Sequence, residues 1–247
     1  MNDPKMMNSA AAGVADIDAG LRAYMLGVYN YMTTALAVTG LFAYGIKMLS
    51  VGTNAAGQKY LTGLGQLLYT TPLQWVVMLA PLGLMFYLSA AMGRMKVKSA
   101  QTMFYVFAAL MGVSLSSVLL VFTGDSVARV FFITAGAFAG LSLYGYTTKR
   151  DLGPIGAFLI MGVIGLILAS IVNIFVQSQG AEMLISVVGV LIFAGLTAYD
   201  TQRIKSMYMV SDSRDVAQKK SIFGALTLYL DFINMFIMLL RLIGNRE

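Results

Sequence analysis

Asp200 and Asp231 sit at or within stretches that otherwise read as membrane-spanning helices, Met183 to Tyr199 and Ile222 to Ile243. A carboxylate near the centre of a bilayer helix costs roughly 2.5 to 3.5 kcal/mol on insertion scales. Intramembrane acids are therefore read first as ion, proton or catalytic groups. Two carboxyls brought within about 4 Å repel by about 4 kcal/mol at an effective dielectric near 20, so such a pair holds one proton between its members and titrates as a unit. With both groups ionised, the natural counterion is a hard cation that prefers oxygen. Ca²⁺ tolerates irregular geometry better than Mg²⁺. Asp200 and Asp231 are accordingly the expected pH-sensing and ion-binding residues, with Ca²⁺ as a transported ion rather than a resident cofactor.

The helices that must position them follow from composition. The chain of 247 residues is 58% hydrophobic and 11% charged, against roughly 45 to 50% and 25% in soluble domains. Seven apolar stretches, each near the 20 or so residues a crossing needs, centre on Leu36, Met85, Leu110, Ala139, Gly165, Val190 and Phe232. An all-α, seven-helix membrane bundle is the expected fold. It divides into a polar amino-terminal segment (1–22), one membrane domain (23–244) and a short carboxyl-terminal end (245–247). The first segment carries Asp3, Asp16 and Asp18 and lacks the basic start and cleavage site of a signal peptide, so the first helix is expected to be retained. With no Cys and no His, thiol chemistry, imidazole catalysis and the usual zinc ligands drop out.

Basic residues set the orientation. With the amino terminus in the cytoplasm, twelve of the 17 basic residues fall on inner segments, among them Arg94, Lys149, Arg150, Arg203, Lys219 and Lys220. The positive-inside rule then puts the carboxyl terminus outside. The net charge of +6 is accounted for by orientation and anionic headgroups, with no nucleic-acid partner.

Polar residues within the spans mark candidate inward faces. In the last helix Thr227, Asp231, Asn234 and Arg241 share a stripe; Ser170, Asn173 and Gln177 do so in the fifth, and Asn30, Thr33 and Thr34 in the first. Asn173, Thr227 and Asn234 are thus candidate supporting groups. The fourth helix carries Gly136-Ala137-Phe138-Ala139-Gly140, a small-xxx-small surface expected to pack against another helix. The run from Arg203 to Val210 has no Pro or Gly, so the sixth helix can continue to about Met209, which puts Asp200 about 13 Å deep, near the level of Asp231. Arg94, at the inner end of the second helix, is a candidate latch. Paired with ionised Asp200 it would close the inner mouth, and acid would release it.

Ala198-Tyr199-Asp200-Thr201-Gln202-Arg203-Ile204, followed by Ala225-Leu226-Thr227-Leu228-Tyr229-Leu230-Asp231-Phe232-Ile233-Asn234, resembles the Bax inhibitor-1 family in its bacterial, YccA-like branch. The resemblance extends over roughly residues 20 to 244. It implies a seven-helix bundle with the last helix central, in a bacterial inner membrane, and an aspartate pair, here Asp200 and Asp231, gating a pH-sensitive calcium leak. It equally implies an alternative role, a non-conducting modulator of a membrane-bound ATP-dependent protease or a stress-response interaction protein. Only Asn245-Arg246-Glu247 follow Gly244, so regulation through a charged tail is not carried over. Intramembrane aspartyl proteolysis is the enzymatic rival. Its Tyr-Asp half is present as Tyr199-Asp200, but Leu228-Tyr229-Leu230-Asp231 lacks the glycines of its second half, and the chain is expected not to be an enzyme.

Overall fold

The computed structural model describes the backbone of residues 4–246 and the side chains of residues 19–246. Seven helices among them are long and apolar enough to cross a membrane, and each expected centre falls inside one. Helix α1 (Pro4–Ser50) runs without interruption through most of the expected polar segment; its apolar part is Ala19–Ser50. Side chains up to residue 18, including Asp3, Lys5, Asp16 and Asp18, lie outside the described residues, as does Glu247.

Between the first two crossings the polar stretch is structured. Strands β1 (Val51–Thr53) and β2 (Lys59–Leu61) pair antiparallel. Asn54 Oδ1 accepts from the amides of Ala56 and Gln58 at 3.0 and 2.9 Å, and Gly57 takes the positive φ of 78° that closes the turn. A short helix α2 (Gly63–Tyr69), capped by the Thr62 hydroxyl, leads into α3 (Leu73–Ala91), which tightens into a 3-10 turn at Met92–Arg94. Helices α4 (Val97–Leu115) and α5 (Val118–Val121) form the third crossing. The next four are α6 (Gly124–Thr147), α7 (Gly153–Val176), α8 (Gln179–Ser206) and α9 (Arg214–Ile243). Thr123 caps α6 through the amide of Ser126, which makes the sharp hairpin expected between the third and fourth spans.

Helix α9 is the centre of the bundle. Of its apolar stretch 61% is buried, against 17 to 28% for α1, α3, α4, α6 and α7, and it packs on α1, α4, α6 and α8. Its Tyr229 is fully enclosed, with the rings of Phe104 and Phe107 edge-on at 6.1 and 5.6 Å. Phe232 meets Phe131 and Phe138 of α6 in the same edge-to-face manner, the arrangement that the aromatic quadrupole favours.

The small residues that bring helices together are not those expected. Gly136 and Gly140 are exposed, and a Cβ on either would meet nothing within 4 Å. The inward face of α6 is instead Thr134, Phe138, Ser142 and Gly145. At Gly145 the backbones of α6 and α8 come so close that a Cβ would run into the carbonyl of Ala198.

Candidate functional site

The acids meet because α8 and α9 are locked in register one turn away. Ile204 of α8 fills the notch at Gly224 of α9, where a Cβ would stand 2.8 Å from Ile204 Cγ2. One helical turn back from Ile204 along α8 is Asp200; two turns forward from Gly224 along α9 is Asp231. Beyond that crossing the two carboxyls come within hydrogen-bonding reach of each other. They are 7% and 5% exposed, in the interior of the bundle.

Apart from Arg203, the residues flanking Asp200 in the Ala198–Ile204 segment each have a partner on another element. Ala198 backs onto Gly145, and the ring of Tyr199 lies on Gly156 of α7. Thr201 bonds Ser142 Oγ at 3.0 Å, which in turn bonds the Tyr29 hydroxyl at 2.6 Å, a polar chain from α8 through α6 to α1. Gln202 clamps the turn between α6 and α7, accepting from Leu152 N and donating to the Arg150 carbonyl. Lys205 donates to the Tyr146 carbonyl at 2.8 Å and lies 4.8 Å from the centre of that ring. With its neighbours so fixed, Asp200 faces α9.

The donor inventory around the acids is short. Apart from the other carboxyl, no backbone or side-chain donor among the described residues hydrogen-bonds either acid, and the fully buried Asp231 Oδ2 has no donor from any other group. An ionised carboxylate only accepts. Two of them facing each other out of water therefore require a proton between them or a cation. The single ion-pair contact to the pair among the described residues is Arg203 Nη1 to Asp200 Oδ1 at 4.0 Å, from a side chain 55% exposed. Arg203 sits three residues along the same helix, so this contact tempers the charge of Asp200 without tying two helices together. No third acidic group joins the pair among the described residues. Since Ca²⁺ takes 6 to 8 oxygens, two carboxylates suit a cation in passage better than one in storage.

The other expected site residues lie elsewhere. Arg94 is exposed at the end of its 3-10 turn and makes no ion pair with Asp200. Its neighbour Gly93 instead accepts from Lys219 at 3.1 Å. Thr227 and Asn234 are half-buried and bond back to the Phe223 and Leu230 carbonyls of their own helix. Asn173 accepts from Ser178 N beside Gln177, which takes a left-handed φ of 52°, and so caps the end of α7. Asn30, Thr33 and Thr34 are exposed, with Thr34 bonded to the Asn30 carbonyl. The inward polar group of α1 is Thr39. Its hydroxyl is 3.0 and 2.8 Å from the Ala35 and Ala108 carbonyls and 2.7 Å from Tyr229 OH. Since a hydroxyl has one proton and the carbonyls only accept, Thr39 giving its proton to a carbonyl leaves Tyr229 as the donor to its oxygen. Helix α8 stops at Ser206, short of Met209, because Ser206 Oγ turns back to the Arg203 carbonyl and Lys220 of α9 takes the Met207 carbonyl.

A bundle of seven membrane-crossing helices whose central helix and its neighbour carry one buried acid pair defines a polytopic integral membrane protein. The chain belongs to the Bax inhibitor-1 family. The family model described as Inhibitor of apoptosis-promoting Bax1 matches residues 21–247. Relatives include a protein of Caulobacter vibrioides, 49% identical over 94% of this chain and 92% of its own, and RP147 of Rickettsia prowazekii, 47% identical over 93% and 92%. The inner membrane protein YbhL of Escherichia coli K12 is 43% identical over 93% of this chain and 94% of its own.

Proposed function

We propose that this protein is a pH-sensitive cation leak of a bacterial inner membrane, with Ca²⁺ as its cargo and no enzymatic role. We place its amino terminus in the cytoplasm. The observation that carries the reading is Asp231, whose carboxyl faces a second carboxyl and whose fully buried Oδ2 is reached by no other donor among the described residues. The geometry fits a site where a proton and a cation alternate. With the proton shared, the carboxyls hold each other across α8 and α9. Without it, two negative charges repel and attract a cation.

The sign of the pH response follows from that exchange. An acid-released latch would need a cation from another helix on Asp200, and among the described residues the one in contact, Arg203, is on α8 itself. Protons and cations then compete for the same oxygens, so acidification fills the pair with protons and lowers the leak, and raising the pH restores it. The test is Ca²⁺ entry into liposomes carrying the wild type, Asp200→Asn or Asp231→Asn. Each variant should lose at least tenfold of the flux at pH 8 and respond little to pH. Flux equal to the wild type would remove the pair from the path. A wild type that conducts no cation would end the leak reading and favour a partner-binding role, the one a membrane protease would require.

A further inference from the structure

A cleft of about 880 Å³ opens between α1 and α6, with Phe232 of α9 as its floor. These two helices lean on α9 rather than on each other. The hydrogen bond between Tyr29 and Ser142 bridges the gap. Lining residues on α1 run from Arg22 to Leu36, about 21 Å at 1.5 Å per residue, somewhat more than the roughly 15 Å of one hydrocarbon leaflet. A smaller cavity of about 360 Å³ continues it toward Lys47.

The walls say what can fill it. Apart from Arg22, Thr33 and the mutually bonded Tyr29 and Ser142 they are apolar or aromatic, so along most of the cleft water would lack the two to four polar partners it needs. An empty cleft would forfeit dispersion contacts along its length. A lipid chain fills it, and since every lipid tail is equally apolar, preference among lipids must come from the headgroup. The mouth is basic. Arg22 lines it, Lys205 stacks on Tyr146 at the same end, and Lys149 and Arg150 follow within four residues of Tyr146. The nearby Asp151 is turned into its own loop by the amide of Gly153.

We propose that this cleft binds one anionic phospholipid, with an acyl chain along α1 from Arg22 toward Leu36 and the phosphate at Arg22. The site stands independently of the leak. The test is native mass spectrometry of the full chain in mild detergent, titrated with phosphatidylglycerol or with phosphatidylcholine of the same chains. The wild type should retain one phosphatidylglycerol with about fivefold preference over phosphatidylcholine, the effect of one basic side chain near a headgroup. Arg22→Gln should erase the preference. Ala139→Trp, which fills the cleft, should release both lipids, whereas Gly165→Trp, pointing into open space, should behave as the wild type. Equal retention of the two lipids by the wild type, or a bound lipid undisturbed by Ala139→Trp, would overturn the proposal. Should Ala139→Trp fail to fold, Arg22→Gln at its exposed position still decides it.

Discussion

Ile204 fills the space at Gly224 that a side chain would otherwise occupy, and this contact sets the register in which Asp200 meets Asp231. Gly224→Ala puts a methyl against a β-branched carbon that cannot swing aside. It should cost about 1 to 3 kcal/mol, the usual penalty for overpacking. Ile204→Ala should restore much of that loss in the double variant, since the two changes share one space. Thermal unfolding in detergent of the four proteins measures the coupling.

The glycines make a matching prediction on α6. Gly145→Ala drives a methyl into the Ala198 carbonyl, which backbone cannot yield cheaply, and should destabilise more than Gly224→Ala. Gly136→Ala and Gly140→Ala meet nothing. They should leave the melting temperature unchanged or raise it, because Ala is the better helix former by roughly 0.5 to 1 kcal/mol.

Thr39 and Tyr229 should respond asymmetrically. Thr39→Val strands a fully buried phenol hydroxyl without an acceptor, a loss of about 1 to 3 kcal/mol. Tyr229→Phe leaves the Thr39 proton on its carbonyls and should cost less. The double variant should be more stable than Thr39→Val alone, a result that equilibrium unfolding in detergent would show directly.

The absence of Cys makes orientation measurable with single introduced thiols. Ala55→Cys in the hairpin turn should react with an impermeant maleimide added outside intact cells. Ser211→Cys, in the loop between α8 and α9, should react only after permeabilisation. The reverse pattern would invert the proposed topology.

The seven spans and the acid pair are legible in the sequence because both rest on local properties, the length of an apolar run and the cost of a charge inside it. Which glycines pack is not local. Gly136 and Gly140 have the spacing of an interface, whereas Gly145, Gly156 and Gly224 do the packing, and only their partners Ala198, Tyr199 and Ile204 reveal it. The polar faces misled for a related reason. Thr34, Thr227 and Asn234 satisfy themselves on their own helices, so helical spacing alone carried no information about direction. Tyr29, Thr39, Ser142 and Thr201, which do cross between helices, stood out only as ordinary hydroxyls. Arg94 and Arg203 are both basic residues near a helix end, and the three-residue spacing from Asp200 is the feature of the sequence that points to Arg203 rather than Arg94.

The proposed function requires the exchange of one shared proton for a cation between Asp200 and Asp231. Infrared difference spectroscopy of the purified protein, with and without Ca²⁺, reads it directly through the C=O stretch of a protonated carboxyl. Adding Ca²⁺ near neutral pH should bleach the signal of one protonated carboxyl per chain, and Asp231→Asn should abolish that change. A protonated-carboxyl signal that Ca²⁺ leaves untouched, or one that persists unchanged in Asp231→Asn, would contradict it.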